Sequence, residues 1–435
     1  MLEKLKKKLI KIDRHLYKIF GTEKKLYFLE NLKEAKIIFS YLNQNEKIST
    51  VKFVGGCVRK ALNDEPIDDI DLATSLEPKQ VKEKLHNKDI EIIDTGISHG
   101  TLTLIINKKK FEITTLRKDV LTDGRYAKVQ FTKNWEEDAQ RRDFTINAIY
   151  ADINGEIFDP LDGISDLQNG QIRFIGSAEE RINEDYLRIL RYFRFFIQYS
   201  KSDHDENIIQ SIKKNINGIN KISNERIFDE LKKILKLGDF YKLFSNDITR
   251  EIILSIFNQF KFYERLKIMN KLDQNYKKKY KYDLILGLLI IDQSNNYEYF
   301  CHKFKTSNEI KDKFEYISKN YLELRNKKFF SKENIKKCIY FSNKNNVKDL
   351  LLFSMCLSNK VKISDIEELI YFVDECKIPK FPISGDFLKK YGYESGERLG
   401  KKLKLLEEEW IKNNFVLDKK NLEKSLEKST KTKHI

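Results

Sequence analysis

Asp69 and Asp71 stand two residues apart in Asp-Ile-Asp, shortly after a Gly55-Gly56 pair and Arg59. On a strand, residues i and i+2 point to the same face, so both carboxylates can enter one pocket while Ile70 and Leu72 turn away. Two hard oxygen donors at that separation suit Mg²⁺, which binds through carboxylates plus substrate phosphates rather than an all-protein cage. A pair of such ions serves phosphoryl and nucleotidyl transfer. Gly55 and Gly56 would let backbone N–H groups approach a triphosphate, and Arg59 would add charge-assisted hydrogen bonds. Alone, Asp-x-Asp is equally compatible with a turn or a solvated edge. The chemistry is indicated by the order of the glycine pair, the arginine and the paired carboxylates.

That order needs a strand, a turn, a helix and a second strand. Val51-Lys-Phe-Val54 is a β-branched run entering the glycines, a short helix can follow, and a strand then carries Asp-x-Asp. Further β-like runs lie at 69–73, 90–93, 101–106, 111–115, 127–132 and 149–153, marking an α/β region from 50 to about 160. Residues 1–48 read as helical, with Leu5, Leu9, Ile12, Leu16 and Ile19 near helical spacing. Beyond about residue 175 strand signals nearly vanish and periodic helices dominate. Pro379 and Pro382, two of only five prolines, mark a joint before a final domain, where Ser384 could cap a helix beginning near Asp386. The lysine-rich stretch 419–435 reads as a frayed end.

A chain of 435 residues with 40% hydrophobic content can fill several cores. The net charge of +16 suits a polyanion such as RNA, although lysine, isoleucine and asparagine abound throughout, so compositional drift accounts for part of it. Five cysteines lack C-x-x-C spacing, which argues against zinc and for reduced, cytoplasmic thiols. The longest apolar run, Leu284 to Ile291, is too short to span a bilayer and fits a buried helix, so no membrane partner is expected. Met1 to Phe20 contains Glu3 and Asp13 and reads as an amphipathic surface helix rather than a targeting signal.

Later segments complete a pattern: Arg141-Arg-Asp-Phe-Thr-Ile-Asn-Ala148, Phe158-Asp-Pro-Leu-Asp-Gly163 with Asp166-Leu167, Ile172-Arg-Phe-Ile-Gly176, and Glu184-Asp-Tyr-Leu-Arg-Ile-Leu-Arg-Tyr-Phe-Arg-Phe195. With 51–74 they resemble, in order and over about residues 51 to 235, the class II tRNA nucleotidyltransferases (CCA-adding enzymes) and bacterial poly(A) polymerases of the polymerase-β-like superfamily. Lys60 departs from the aspartate that many members carry there, which bears on a local ion pair and not on the metal site.

The resemblance implies an α+β fold: a small mixed-sheet nucleotidyltransferase head followed by an all-helical neck, body and tail. The expected divisions are an N-terminal helical segment 1–48, a catalytic head 49–174, a base-recognising neck 175–240, and an RNA-binding body 241–376 and tail 377–435. It implies attack of an RNA 3′-hydroxyl on the α-phosphate of a nucleoside triphosphate, with Asp69 and Asp71 holding two Mg²⁺. Glu112 is the expected third carboxylate; its other reading is an exposed strand glutamate. Arg142 would contact nucleotide phosphates and Asp143 the ribose, with Asn147 one helical turn on; the bland alternative is a basic pair opening a solvated helix. Asp185 and Arg188 would pair with the base edge of CTP or ATP, and Arg191 and Arg194 would lie towards the phosphates, although an ordinary amphipathic helix gives the same steps of three.

Leu116 to Ala127 reads as a mobile loop turning at Asp123-Gly124, present in the full length that the resemblance associates with complete CCA addition. Thr95 to Thr103 also looks like CCA-adding members, with His99 structural. The implied partners are tRNA, CTP and ATP, with no stable protein partner. The alternatives are a poly(A) polymerase, a partial CC- or A-adding enzyme, and a non-catalytic RNA-binding protein.

Overall fold

The computed structural model describes residues 26–121, 128–357 and 362–417, with Leu422 and Leu426. The helix expected over Met1–Phe20, the Asp123-Gly124 turn and, apart from those two leucines, the stretch 419–435 lie outside the described residues. The fold is α+β, and the chain divides into two compact units, Met1–Ile256 and Phe257–Ile435.

The first unit is built on a seven-stranded sheet in the order β3-β4-β5-β2-β1-β8-β9. Its strands are β1 (Val51–Val54), β2 (Ile70–Thr74), β3 (Glu91–Gly96), β4 (Thr101–Ile106), β5 (Lys109–Thr115), β8 (Tyr150–Ala151) and β9 (Ile157–Phe158). Pairing is antiparallel everywhere except β2 with β5, which run parallel. Strand β1 lies between β2 and β8 and buries Val51, Phe53 and Val54, as a strand covered on both faces must. Helix α1 (Lys33–Leu42) covers it with Ile38, Phe39 and Leu42, the Phe39 and Phe53 rings lying 4.9 Å apart. Helix α2 (Gly56–Leu62) follows the glycine pair as the sequence predicts, and α3 (Pro78–Leu85) starts at a proline behind a reciprocal Glu77–Gln80 capping box.

Two elements depart from the sequence reading. The segment expected to be a loop from Leu116 begins as a strand, β6 (Arg117–Leu121), paired with β7 (Lys128–Phe131) in a separate ribbon. Its charged Arg-Lys-Asp start carries no period-2 apolar signal, so the pairing comes from the partner strand. Strand β9 was not expected either; at two residues it is too short to show a period.

Helices α4 (Trp135–Gln140) and α5 (Gly163–Asn169) complete the sheet region, and after Phe174 every regular element among the described residues is helical. Helices α6 (Ala178–Glu184), α7 (Arg188–Tyr199), α8 (Glu206–Asn215) and α9 (Asn224–Leu235) follow. Helix α7 buries Ile189, Leu190, Tyr192, Phe193 and Phe195; Tyr192 packs on Phe144 and Phe174, and Phe144 and Phe195 meet edge-to-face at 5.4 Å.

The second unit is helical among its described residues. Helix α10 (Tyr282–Ile290) is buried on every face, as its continuous apolar run predicts. Ser384 caps α11 (Gly385–Lys390), its hydroxyl accepting the Phe387 N–H. Leu388 then packs with Ile383, Leu426 and Leu406, the last on α12 (Glu397–Lys412). No described helix is long and apolar enough to cross a membrane.

Candidate active site

The parallel pairing of β2 with β5 puts Asp71 directly beside Glu112. Opposed residues in adjacent strands share a face of the sheet, so the carboxylate that lies two residues from Asp69 in sequence gains a second acidic neighbour from another strand. Burial raises the Asp71 pKa, and the negative charges of Glu112 and Asp69 raise it further against the opposing pull of Arg142 and Arg59. Asp69 immediately precedes β2 and adds its charge from there; like charges gathered at the start of this strand call for a cation.

The side chain of Glu112 is 49% exposed and accepts a hydrogen bond from Lys110 Nζ at 2.9 Å. Among the described residues no three His, Cys, Asp or Glu side chains are close enough to hold an ion unaided. That donor set fits Mg²⁺, which takes few protein carboxylates and completes its octahedron with water and phosphate oxygens.

The two glycines do different work. Gly55 sits at φ +68°, and a Cβ there would meet the Asn147 carbonyl oxygen at 3.4 Å and Arg142 Nη1 at 3.6 Å. Only glycine takes that conformation without strain. Around Gly56, the first residue of α2, a Cβ would meet nothing within 4 Å. Backbone at this point is therefore open to approach.

Arg142 is held from behind. Asp138 Oδ2 accepts from Arg142 Nη2 at 3.0 Å and from the Tyr150 hydroxyl at 2.7 Å, while Arg142 Nε also reaches the Tyr150 oxygen at 3.0 Å. The other Asp138 oxygen accepts from Arg141 Nε at 2.9 Å. Burial alone would raise the Asp138 pKa, but Arg142, Arg141 and the Tyr150 hydroxyl hold it well below the usual carboxylate range. Sequence reasoning missed Asp138 and Tyr150. The available signal was the i,i+4 spacing of Asp138 and Arg142, which also occurs on solvated helices.

Arg142 and Asp143 do not open a helix: they follow α4 in a turn that leads into a short 3₁₀ segment, Thr145–Asn147. The expected proximity of Asn147 survives, because Asn147 Nδ2 donates to Asp143 Oδ1 at 2.8 Å. Asp143 Oδ2 accepts from Arg191 Nε at 2.6 Å, a link between the sheet region and α7. Despite burial, Arg191 and Asn147 keep the Asp143 pKa depressed.

Arg59, 5% exposed, donates to Asn147 Oδ1 and lies 4.7 Å from the centroid of Phe195 and 5.3 Å from that of Tyr199. Its Nε is buried without a hydrogen-bond partner.

The stripe expected over Asp185, Arg188, Arg191 and Arg194 is interrupted. Asp185 is extended (φ −154°, ψ 104°) and separates α6 from α7, so only the three arginines share a helix. There Asp185 Oδ1 accepts the Leu187 N–H at 3.1 Å and Oδ2 accepts from Arg226 Nη2 at 2.6 Å. Such local capping competes with helix continuation. Arg188 Nη1 donates to the Arg181 carbonyl at 2.8 Å and to Glu184, and Arg194 pairs with Glu230, which is buried on α9. Glu184, Arg226 and Glu230 as partners were not foreseen; nothing local in the sequence couples α9 to α7.

Residues 51–173 match the family described as "Poly A polymerase head domain", and 204–246 match "Probable RNA and SrmB- binding site of polymerase A". The chain is 34% identical over 421 residues to the mitochondrial CCA tRNA nucleotidyltransferase 1 of Mus musculus, covering 94% of this chain and 93% of that one. It is 33% identical over 363 residues to the CCA-adding enzyme of Streptococcus sanguinis, covering 82% and 87%. In fold it is similar to the Bacillus stearothermophilus CCA-adding enzyme solved in complex with CTP (TM-score 0.68, 24% identity, 92% of this chain and 98% of that one). It is likewise similar to the Thermotoga maritima CCA-adding enzyme complexed with tRNA (TM-score 0.64, 18% identity, 94% and 98%).

Proposed function

The chain belongs to the CCA tRNA nucleotidyltransferase family, and on that premise we propose that it builds or repairs the 3′-terminal CCA of tRNA from CTP and ATP, without a nucleic-acid template and with release of pyrophosphate. The observation that carries this reading is the register of Asp71 with Glu112, beside Asp69 and near Arg142.

Asp69 and Asp71 would hold two Mg²⁺, with Glu112 of the neighbouring strand as the third carboxylate; bound there, the ions would supply acidification of the RNA 3′-hydroxyl and neutralisation of charge on the triphosphate. The open backbone at Gly55-Gly56, with Arg59 and Arg142, would receive the phosphates. Asp143, fixed by Asn147 and Arg191, would orient the ribose side. Asp185 and Arg188 would present an acceptor and donors to the base edge, and Arg191 and Arg194 would extend the positive surface towards the phosphates. A carboxylate oriented by Arg226 can accept an amino hydrogen from cytosine or adenine.

In this reading 49–174 is the catalytic head, 175–240 the base-recognising neck, and 241–376 and 377–435 the RNA-binding body and tail. The five free cysteines fit a reducing compartment. We assign the cytoplasm, and organellar residence, indicated in the name of the mouse relative, is the alternative.

The test is incorporation of labelled CTP and ATP, with Mg²⁺, onto tRNA transcripts ending before CCA, after C and after CC. Ordered addition of C, C and A followed by a stop is expected. ATP-only extension into long tails, addition of A alone to the CC end, or a halt at CC would each replace this reading with a related activity.

A further inference from the structure

Three guanidinium groups surround one buried ring. The Cζ atoms of Arg194, Arg59 and Arg191 lie 4.1, 4.7 and 5.4 Å from the centroid of Phe195, which is 1% exposed. Arg191 and Arg194 reach it from its own helix, whereas Arg59 comes from α2, beside the glycine pair. Like charges so close repel one another: burial first, and then Arg191 and Arg59 against the pull of Glu230, hold the Arg194 pKa down. Arg191 is offset by Asp143 and Arg194 by Glu230. For Arg59 no carboxylate lies at ion-pair distance among the described residues, and Asp71 attracts it only from further off; its near neighbours are the Asn147 amide oxygen, the Tyr199 hydroxyl and the Phe195 and Tyr199 rings, and its Nε is unsatisfied.

A buried cation without a carboxylate at ion-pair distance is costly and persists only where something else also favours the charged form. The negative face of an aromatic ring does so when water is excluded. We propose that Phe195 is a positioning residue for nucleotide binding: its ring holds Arg59 of the sheet region beside Arg191 and Arg194 of α7, so that the three cations are assembled before a polyphosphate arrives. This rests on the nucleotidyl-transfer reading for the identity of the ligand. The geometry also gives a reason for Phe rather than an aliphatic residue at 195, since Leu would fill the space and leave three cations with no shared attraction.

The test replaces Phe195 in the full chain with mono-, tri- and pentafluorophenylalanine, which drain negative charge from the ring face while nearly preserving its shape. The Kd for CTP, measured by calorimetry, is expected to rise stepwise to about tenfold at the pentafluoro ring, with Tm nearly constant. A constant Kd across the series overturns the proposal, as does a rise that only tracks loss of Tm. Phe195→Tyr should bind CTP like the wild type, and Phe195→Leu should bind it more weakly at a temperature where both are folded; equal binding by Leu and Phe assigns the ring to packing alone and sinks the idea. Because the readout is binding, failure of the wild type to add nucleotides to tRNA would remove the proposed reaction and leave this result interpretable.

Discussion

Asp71 and Glu112 are register partners across the parallel strands β2 and β5, so two carboxylates from distant segments lie side by side on one sheet face with Asp69 nearby. The raised Asp71 pKa records the cost of burying that carboxylate among like charges.

Removing the Asp71 charge should separate stability from activity. A carboxyl group with a raised folded pKa retains its proton to higher pH in the native state than in the unfolded chain. Its contribution therefore declines as pH rises from the ordinary aspartate range through the raised value. Asp71→Asn should accordingly raise Tm by a few degrees at pH 7.5 in EDTA, with the gain vanishing in acid, while nucleotide addition falls by at least about 10³-fold. Paired melting curves and single-turnover assays check both halves.

Glu112 and Lys110 make opposite predictions. Glu112→Gln should lower kcat by about 10²-fold with little change in nucleotide KM, as expected for a group acting on the chemical step. Lys110→Ala frees Glu112 from its exposed ion pair and should lower the Mg²⁺ concentration needed for half-maximal rate. A Glu112→Gln enzyme with near-normal turnover would remove this residue from the site.

The glycine pair should divide fold from function. Gly55→Ala forces a side chain into φ +68° against the Asn147 carbonyl and Arg142, costing about 1 kcal/mol or more. Gly56→Ala meets no protein atom within 4 Å and should keep its Tm while raising nucleotide KM severalfold. Thermal melts and Michaelis curves on the two variants decide it.

Base selection should depend on Asp185 and on the residue that orients it. Asp185→Ala is expected to reduce kcat/KM for CTP by about 10²-fold and to admit UTP or GTP, because a charged hydrogen-bonding edge is lost. Arg226→Ala should produce a weaker version of the same defect, since it releases the Asp185 carboxylate from its 2.6 Å contact. Competition assays with all four nucleotides give the comparison.

His204 predicts an acid sensitivity unrelated to catalysis. Its ring stacks on Phe196 at 3.6 Å and bridges the Tyr192 and Thr249 hydroxyls, and burial pushes its pKa from 6.5 down to about 4 despite the nearby Asp203. The unfolded chain takes up a proton below pH 6.5 that the native state refuses until about pH 4. Stability should therefore decline as pH falls through that window. The slope, measured by urea titration, should be shallower in His204→Asn.

What the sequence by itself determined is what short-range physics encodes. Period-2 alternation set the strand carrying Asp71, a glycine pair set the turn into α2, a hydroxyl at Ser384 set a helix start, and a continuous apolar run set the interior helix at 282–290. Each is settled by residues within one or two turns of one another. The resemblance of the ordered motifs extended the expected site residues to Glu112, Arg142 and Asp185, without their partners.

The partners were decided by tertiary structure. Asp143 meets Arg191 across 48 residues, Arg194 meets Glu230 across 36, and Arg59 meets Asn147 across 88. Spacing along the chain is silent about such pairs, because they depend on which helix packs on which strand. For the same reason Asp185 left the helix that its periodicity predicted: Arg226 and the Leu187 N–H satisfy its carboxylate in an extended conformation. A local pattern specifies which face a side chain takes. Packing between distant elements specifies what that face meets, and the free energy of burying a charge only with a partner selects the pairs that remain.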